Sequence, residues 1–487
     1  MKDALMVAFN KSIATEFEAK LKRGVEQHEL IPEQEAFFNA FRAQDRSLFG
    51  EAVAGSGKTY LLLRSALSVK ANWTTKTLHG LGYSAWVSKI GKRLTVKQNK
   101  MFQLAKELNI DREMFGDTLR LAAHAKNYGI LAPGIRGKEL TPDSPEVWDD
   151  LMDMYDLDAD PKQVLELLEA SVIQAQKGIV DFDDMLYMPV CYSGVFHKHD
   201  LVVVDEAQDL SSIQHEMLRK SLRRDGILIG CGDRHQAIYG FRGALAESIP
   251  QMISDFSMEL FPLPVTFRCP KAVVTEAQAD VPHIRAFDSN PEGEVLRPES
   301  LRLAEVPRTV LCRNTAPLVQ LALRLIGDGR GATIAGREIG KTLAKMVEKV
   351  APKPVNLPTL QAKLNAFIEA EIARKPKREQ TMRDRQAALD HIMSRAEALQ
   401  GGHATSTTIV QIIKELYDKN APGSVWLSTI HRSKGLEWPD VLMLDPHLLP
   451  SSYARQQWQL VQESNLRYVG VTRAQQRLTF GYSDQIF

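Results

Sequence analysis

The sequence predicts an α/β protein built on buried parallel sheets, and three stretches carry that prediction. Each is an apolar run of strand length that ends in glycine-rich or polar chemistry. They are Glu51 to Leu62 (EAVAGSGKTYLL), Leu201 to Asp209 (LVVVDEAQD), and Gly226 to Cys231, which leads into GDRHQAIYGFRGA from Gly232 to Ala244. Strands buried on both faces read as continuous apolar runs, and doubly wound sheets present ligand sites at the carboxyl ends of their strands.

The first stretch reads as strand, phosphate-cradling loop and helix. In the turn Ala54-Gly55-Ser56-Gly57 the glycines let backbone N–H groups approach phosphate oxygens with no Cβ in the way. Lys58 supplies a point charge at the start of the helix, and the Thr59 hydroxyl is suited to ligate magnesium. The GxxxxGKS/T pattern departs only at its first position, where Ala52 stands. Taken alone, the loop also fits an ordinary glycine-rich strand-to-helix turn. In the second stretch Asp205 sits at a strand end, where a carboxylate can hold Mg²⁺, and Glu206 can orient and deprotonate an attacking water. An adjacent Asp-Glu pair also arises as a helix cap, and its position after a phosphate loop is what gives it weight.

Composition sets the frame. At 487 residues and 44% hydrophobic content, the chain has length for about two to four domains. Basic and acidic residues number 61 and 60, a net charge of +1, so any nucleic-acid contact must come from local patches. Cys191, Cys231, Cys269 and Cys312 are far apart with no CxxC pair, which suits buried thiols in a reducing compartment. No run approaches the ~20 apolar residues of a membrane span, and a cytoplasmic monomer is expected.

Along the chain, Ala4 to Phe9 reads as a strand, Ser12 to Arg23 as a helix capped by Ser12, and Ile31 to Phe41 as a short helix with proline in its first turn. Gln34, near the start of that helix, can donate and accept at once, as reading an adenine edge requires, although a lone glutamine there is ordinarily solvated. Thr75 to Trp86 joins an extended piece to a helix, with Thr77 and His79 at the junction. Residues 95 to 180 are mostly helical in pattern, broken over Gly129 to Pro145 and closed by Asp181 to Leu186 (DFDDML). Thr309 to Cys312, Val425 to Thr429, Val441 to Leu444 and Arg477 to Tyr482 read as further strands, and 341 to 420 is helical and polar. The basic run Lys375 to Arg385 reads as a solvated helix surface ahead of a duplex-binding patch.

With these stretches in view, the chain resembles superfamily 1 helicases of the UvrD/Rep type. The matching motifs are AVAGSGKT, DEAQD, GDRHQAIYGFRGA, TFRCP, STIHRSKGLEW and LRYVGVTRA, between Ala52 and Ala474. The resemblance implies two RecA-like motor domains, at 1–90 with 181–261 and at 262–340 with 421–487, and helical insertions at 91–180 and 341–420. It implies ATP hydrolysed between those domains with Mg²⁺, Gln34 reading the adenine, Phe267 stacked on it and Glu437 at the ribose. Lys58, Asp205, Glu206, Gln236, Arg268 and Arg473 would carry catalysis. Gln236 would sense the γ-phosphate, and the two arginines would neutralise it, as planar guanidinium groups do well. Either arginine outside its motif would read as a surface ion pair.

Single-stranded DNA would meet Phe9, Asn10, Lys11, Thr77, His79, Tyr239, Phe241, Arg242, Thr429 and His431, with the Tyr239 and Phe241 rings as stacking faces or, on the plainer reading, core packing. TLHG, FRG and TFRC stand where TFHS, WRG and NYRS are usual, and Phe for Trp keeps a stacking face. The implied activity is ATP-driven 3′ to 5′ translocation on single strands with unwinding at duplex junctions. The alternatives are a DNA-stimulated ATPase subunit of a nuclease, repair or defence complex, and a non-catalytic DNA-binding protein. The order of motifs departs from the family. The stretch ALMVAFNKS precedes the phosphate loop here and follows its helix in relatives, as if residues 3–26 belonged between Lys70 and Ala71. On either order, Ala4 to Phe9 is expected in the first motor sheet.

Overall fold

The computed structural model describes residues 2–8, 11–26, 28–111, 114–155, 157–238, 248–374, 379–416 and 424–487, and the backbone alone at 11–13, 16, 153, 337–339 and 401. The chain forms two compact units, Met1–Pro264 and Val265–Phe487. Each holds a six-stranded sheet with parallel pairings, which is the α/β architecture expected.

The strands of the first unit are β1 (Lys2–Ala8), β2 (Leu48–Ala52), β3 (Ala71–Thr77), β4 (Thr95–Val96), β5 (Ile179–Val180), β6 (His199–Val204), β7 (Leu222–Gly232) and β8 (Glu259–Leu263). β4 and β5 pair with each other, and the main sheet runs β3-β1-β6-β7-β2-β8. Its helices are α1 (Lys11–Arg23), α2 (Pro32–Ala43), α3 (Lys58–Leu67), α4 (Leu78–Ile90), α5 (Lys100–Glu107), α6 (Phe115–Tyr128), α7 (Pro145–Tyr155), α8 (Pro161–Gln176), α9 (Asp184–Cys191), α10 (Ser212–Ser221) and α11 (Ser248–Asp255).

Strand period two explains the two cores. Ala4, Met6 and Ala8 of β1 and Leu201 and Val203 of β6 face one way, into a core with Phe17, Phe37, Phe41 and Leu61 to Leu63. Leu5, Val7, Val202 and Val204 face the other, into a core that continues through the helices of 95 to 180 without a break. The helical insertion therefore shares the sheet's core. A buried ionic cluster fastens it at DFDDML: Lys126 Nζ lies 2.9 Å from Asp181 and 2.8 Å from Asp184, and Lys100 pairs with Asp184 and donates to Ser171 O at 2.7 Å. Such a cluster adds little net stability but is costly to break, so it fixes where the insertion closes.

β1 sits inside the sheet, with Lys2 opposite Ala71 of β3 and Ala4 opposite Leu201 of β6. The stretch Ala4 to Phe9 was expected in the first sheet on either segment order, and its described residues, Ala4 to Ala8, lie there. α1 begins at Lys11. Ser12 is thus inside the first turn and is not the cap the sequence suggested, a shift within the usual spread of helix ends.

The second unit holds β9 (Val265–Thr266) paired with β10 (Arg285–Ala286), then β11 (Glu294–Leu296), β12 (Thr309–Cys312), β13 (Ala332–Ile334), β14 (Val425–Thr429), β15 (Trp438–Leu444) and β16 (Ala474–Gly481), in the order β11-β16-β15-β12-β14-β13. Around them lie α12 (Lys271–Ala277), α13 (Ala316–Gly327), α14 (Arg337–Val350), α15 (Leu357–Arg374), α16 (Glu379–Gln400), α17 (Ser406–Leu416), α18 (Ile430–Ser433) and α19 (Gln457–Val471). α14 to α17 bury Leu343, Leu364, Ile392 and Ile409 in one core with β12 and β14. In the basic run, Arg383 lies on the surface and pairs with Glu369 and Glu379.

Close packing of α4 on α9 rests on one glycine. A Cβ at Gly82 would lie 1.8 Å from the Met185 carbonyl oxygen, whereas one at Gly116 in α6 would meet nothing within 4 Å. Gly82→Ala is expected to destabilise the first unit by about 3 kcal/mol, since backbone cannot move aside as a side chain can. Gly116→Ala should be neutral or stabilising by up to ~1 kcal/mol. Urea unfolding midpoints of the two variants check this contrast.

Candidate functional site

The loop after β2 takes the shape its glycines allow. Gly55 and Gly57 have φ of 72° and 74°, the left-handed region, and α3 begins at Lys58 with no side-chain cap over its first N–H groups. Among the described residues, the buried Ser56 hydroxyl has no hydrogen-bond partner. Uncapped amides at a helix start, an orphaned hydroxyl and a lysine fit a phosphate chain. Gln34, also buried, donates from Nε2 to Ser56 O at 3.1 Å, which ties α2 to this loop.

Across the sheet, β6 delivers two carboxylates to the same place. Thr59 Oγ1 donates to Asp205 Oδ2 at 2.5 Å, and Lys58 Nζ pairs with Glu206 Oε1 at 3.0 Å. Thr59 and Asp205 would hold Mg²⁺, and when bound that ion would draw charge from the phosphate oxygens. Glu206 takes φ of 54°, unusual for a side chain this long, and its N–H donates to Asp205 Oδ1 at 2.9 Å. Gln236 follows β7, donating from Nε2 to Asp233 Oδ2 at 2.7 Å.

The electrostatics follow from burial. Burial pushes the carboxyl of Asp205 up to about 6, with the Glu206 charge adding to it and Lys58 opposing it. Asp233 is likewise pushed up to about 6 by burial, against the Gln236 hydrogen bond and Lys58. Burial works against the Lys58 ammonium, but Glu206, Asp205 and Asp233 outweigh it and hold it above its ordinary value.

The remaining expected strand-contacting residues divide. Thr77 caps α4, its hydroxyl accepting from Gly80 N at 3.1 Å, and His79 lies edge-on to the exposed Phe182 ring at 6.1 Å. Burial holds the His79 imidazole below its ordinary value. Lys11 starts α1, while Phe9, Asn10, Tyr239, Phe241 and Arg242 lie outside the described residues.

In the second unit, the loop after β9 places Phe267 against Phe287, ring centroids 4.9 Å apart, and pairs Arg268 with Glu437. Gln475 Nε2 also donates to Glu437, at 3.0 Å. Arg473 is fully buried and donates to Val469 O at 2.8 Å, Leu436 O at 3.0 Å and Thr472 Oγ1 at 3.2 Å. Burial, and then the charge of Arg268, lowers it to about 10. Thr429 ends β14 and His431 lies in α18. Sequence reasoning missed Phe287 and Asn290. Asn290 Nδ2 fastens this loop through Thr266 O and Cys269 O, both at 2.8 Å, and no spacing in the chain announced it.

A phosphate-binding loop at the carboxyl edge of a parallel sheet, backed by paired carboxylates, defines a P-loop protein of RecA-like architecture. A family model described as the UvrD-like helicase C-terminal domain matches residues 33–485. The chain belongs to the UvrD-like helicase family. It is similar to the ATP-dependent DNA helicase srs2 of Schizosaccharomyces pombe, 26% identical over 209 residues covering 37% of this chain and 22% of that protein. The F-box DNA helicase protein 1 of the same organism is 26% identical over 318 residues, 59% of this chain and 34% of that one. The RecBCD enzyme subunit RecB of Mycobacterium tuberculosis is 32% identical over 164 residues, 28% and 15% respectively. The aligned regions thus span between 15% and 34% of these relatives' lengths. Among the described residues, no helix is long and apolar enough to cross a membrane.

Lys58 offsets three carboxylates at once, so its removal tests the site's charge balance. Asp205 and Asp233, near 6 in the fold against an ordinary 3.8, hold protons in the folded state that the unfolded chain has already released. Their contribution to stability is present below pH ~4 and is lost as pH rises through ~6. Lys58→Met should therefore cost about 2 kcal/mol at pH 8, with the carboxylates ionised and unopposed, and less at pH 5.5. Urea unfolding at the two pH values measures the difference.

Proposed function

We propose that this protein is an ATP-dependent DNA translocase and helicase, moving 3′ to 5′ on single strands. The observation that carries the reading is the double pairing at the loop, Thr59 to Asp205 and Lys58 to Glu206, because it sets a charge clamp for phosphate beside a base for water. In this reading Lys58 and the amides that open α3 hold the phosphate chain, and Glu206 takes a proton from the attacking water. Gln236 senses the terminal phosphate, and Arg268 and Arg473 neutralise the charge that grows on it. Arg268 must exchange Glu437 for phosphate, and Arg473 must give up backbone carbonyls, so both begin occupied. Gln34, Phe267 and Glu437 take the base and ribose.

The relatives support DNA as the track. Srs2 is an ATP-dependent DNA helicase by name. Phe9, Asn10, Lys11, Thr77, His79, Tyr239, Phe241, Arg242, Thr429 and His431 are the proposed strand contacts. A second reading, a DNA-stimulated ATPase within a larger complex, draws on the RecB similarity, since that protein is named as a subunit of the RecBCD enzyme. Purified protein on forked duplexes with a single 3′ or 5′ tail separates them: unwinding from the 3′ tail supports the first reading, and ATP hydrolysis without unwinding supports the second.

Glu206→Gln is expected to lower ATP turnover about 1,000-fold, because proton transfer to the water is lost while phosphate binding remains. Single-strand binding should persist. Steady-state hydrolysis with and without DNA, beside a binding titration, checks both halves, and turnover near wild type would remove Glu206 from the chemistry.

A further inference from the structure

The turn that follows the paired carboxylates is tied to β7 by one side chain, Gln208. It is almost wholly buried, and its two amide atoms face opposite ways. Nε2 donates to Glu206 Oε2, while Lys58 pairs with Oε1. Oε1 accepts from Asp233 N at 3.1 Å. The buried Asp233 in turn accepts from Gln236 Nε2 at 2.7 Å and from His235 N at 3.0 Å. There is no spare room around this bridge, because a Cβ at Gly232 would lie 2.7 Å from Gln208 Oε1. The same turn is held from another side, where Ser248 Oγ donates to Ala207 O at 2.8 Å and meets His215 Nε2 at 3.0 Å.

We infer that Gln208 is a positioning residue, which fixes the Glu206 carboxylate in its left-handed backbone and couples it to Gln236 through Asp233. The inference rests on the ATP-hydrolysing reading above. A carboxylate at φ of 54° has few intrinsic reasons to hold one rotamer, and its pairing with Lys58 loosens once phosphate draws the ammonium away. The amide supplies a fixed donor on the other oxygen. Because its acceptor end is bonded to Asp233 N, a shift at Gln236 reaches Glu206 through three hydrogen bonds, by way of Asp233 and the Gln208 amide.

The experiment measures kcat and KM for ATP, with single-stranded DNA present, in Gln208→Met and Gln208→Glu. Both match glutamine in size; the first removes both hydrogen bonds, and the second keeps the acceptor for Asp233 N but sets a like charge against Glu206. Each should lower kcat about 10- to 100-fold with KM within about twofold, as loss of alignment does. The double variant Gln208→Met/Gln236→Leu should be no slower than the slower single, because both act through one linkage. Wild-type kcat in either folded variant, or singles whose losses multiply in the double, would overturn the inference. So would loss of the cooperative unfolding transition in both, which would mark Gln208 as a structural residue only. Lys58→Ala, run alongside, keeps the two claims apart: if it still turns over ATP, the functional reading fails, and if only the Gln208 variants behave as wild type, the positioning role alone fails.

Discussion

The first unit's functional edge depends on a single ammonium group. Lys58 stands at the start of α3, where a helix favours negative charge, and it is tolerated there because Asp205, Glu206 and Asp233 converge on it from the ends of two other strands. Those carboxylates are in turn tolerated because the lysine is present. Each would be costly alone in so dry a place, which makes loop, β6 and β7 mutually dependent. Parallel strand order brings this about: β2, β7 and β6 are successive neighbours, so their carboxyl ends lie side by side.

The second unit solves a related problem differently. Its arginines do not wait in solvent. Arg268 rests on Glu437, and Arg473 is folded into its own unit against backbone oxygens. A guanidinium resists losing its proton even under heavy burial, so it stays charged where a lysine would not. The Phe267 ring, supported by Phe287 and by the Asn290 clasp, is held on a similarly prepared loop.

Much of this was legible in the chain because the informative residues are local. The run LVVVDE states both a buried strand and the carboxylates at its end, and GSGK states the turn and its charge. β12 and β14 fell where apolar runs placed them. What could not be read are the partners made by tertiary contact. Gln208 looks like any polar residue in DEAQD until Asp233 N arrives from β7, and nothing in Asn290 foretells that it will bridge Thr266 and Cys269. The helical stretch 95 to 180 was expected as an insertion. Its continuity with the sheet's core was not, because period alone cannot say what a helix's apolar stripe covers.

The place of β1 has a consequence for how the chain acquires its shape. Its neighbours are β3, beginning at Ala71, and β6, beginning at His199, both far on in the sequence. A nascent chain therefore exports an apolar ribbon, LMVA, whose second edge stays open until some two hundred residues have followed it. Pairings so distant in sequence are slow to close, and an open apolar edge invites the wrong partner meanwhile. α1, with Phe17 buried against the same face, is the element at hand soonest to cover one side of that ribbon. An interior strand placed so far ahead of its partners in the sequence thus trades a late-closing core for an early need of shelter, a burden that falls on folding and not on the finished fold.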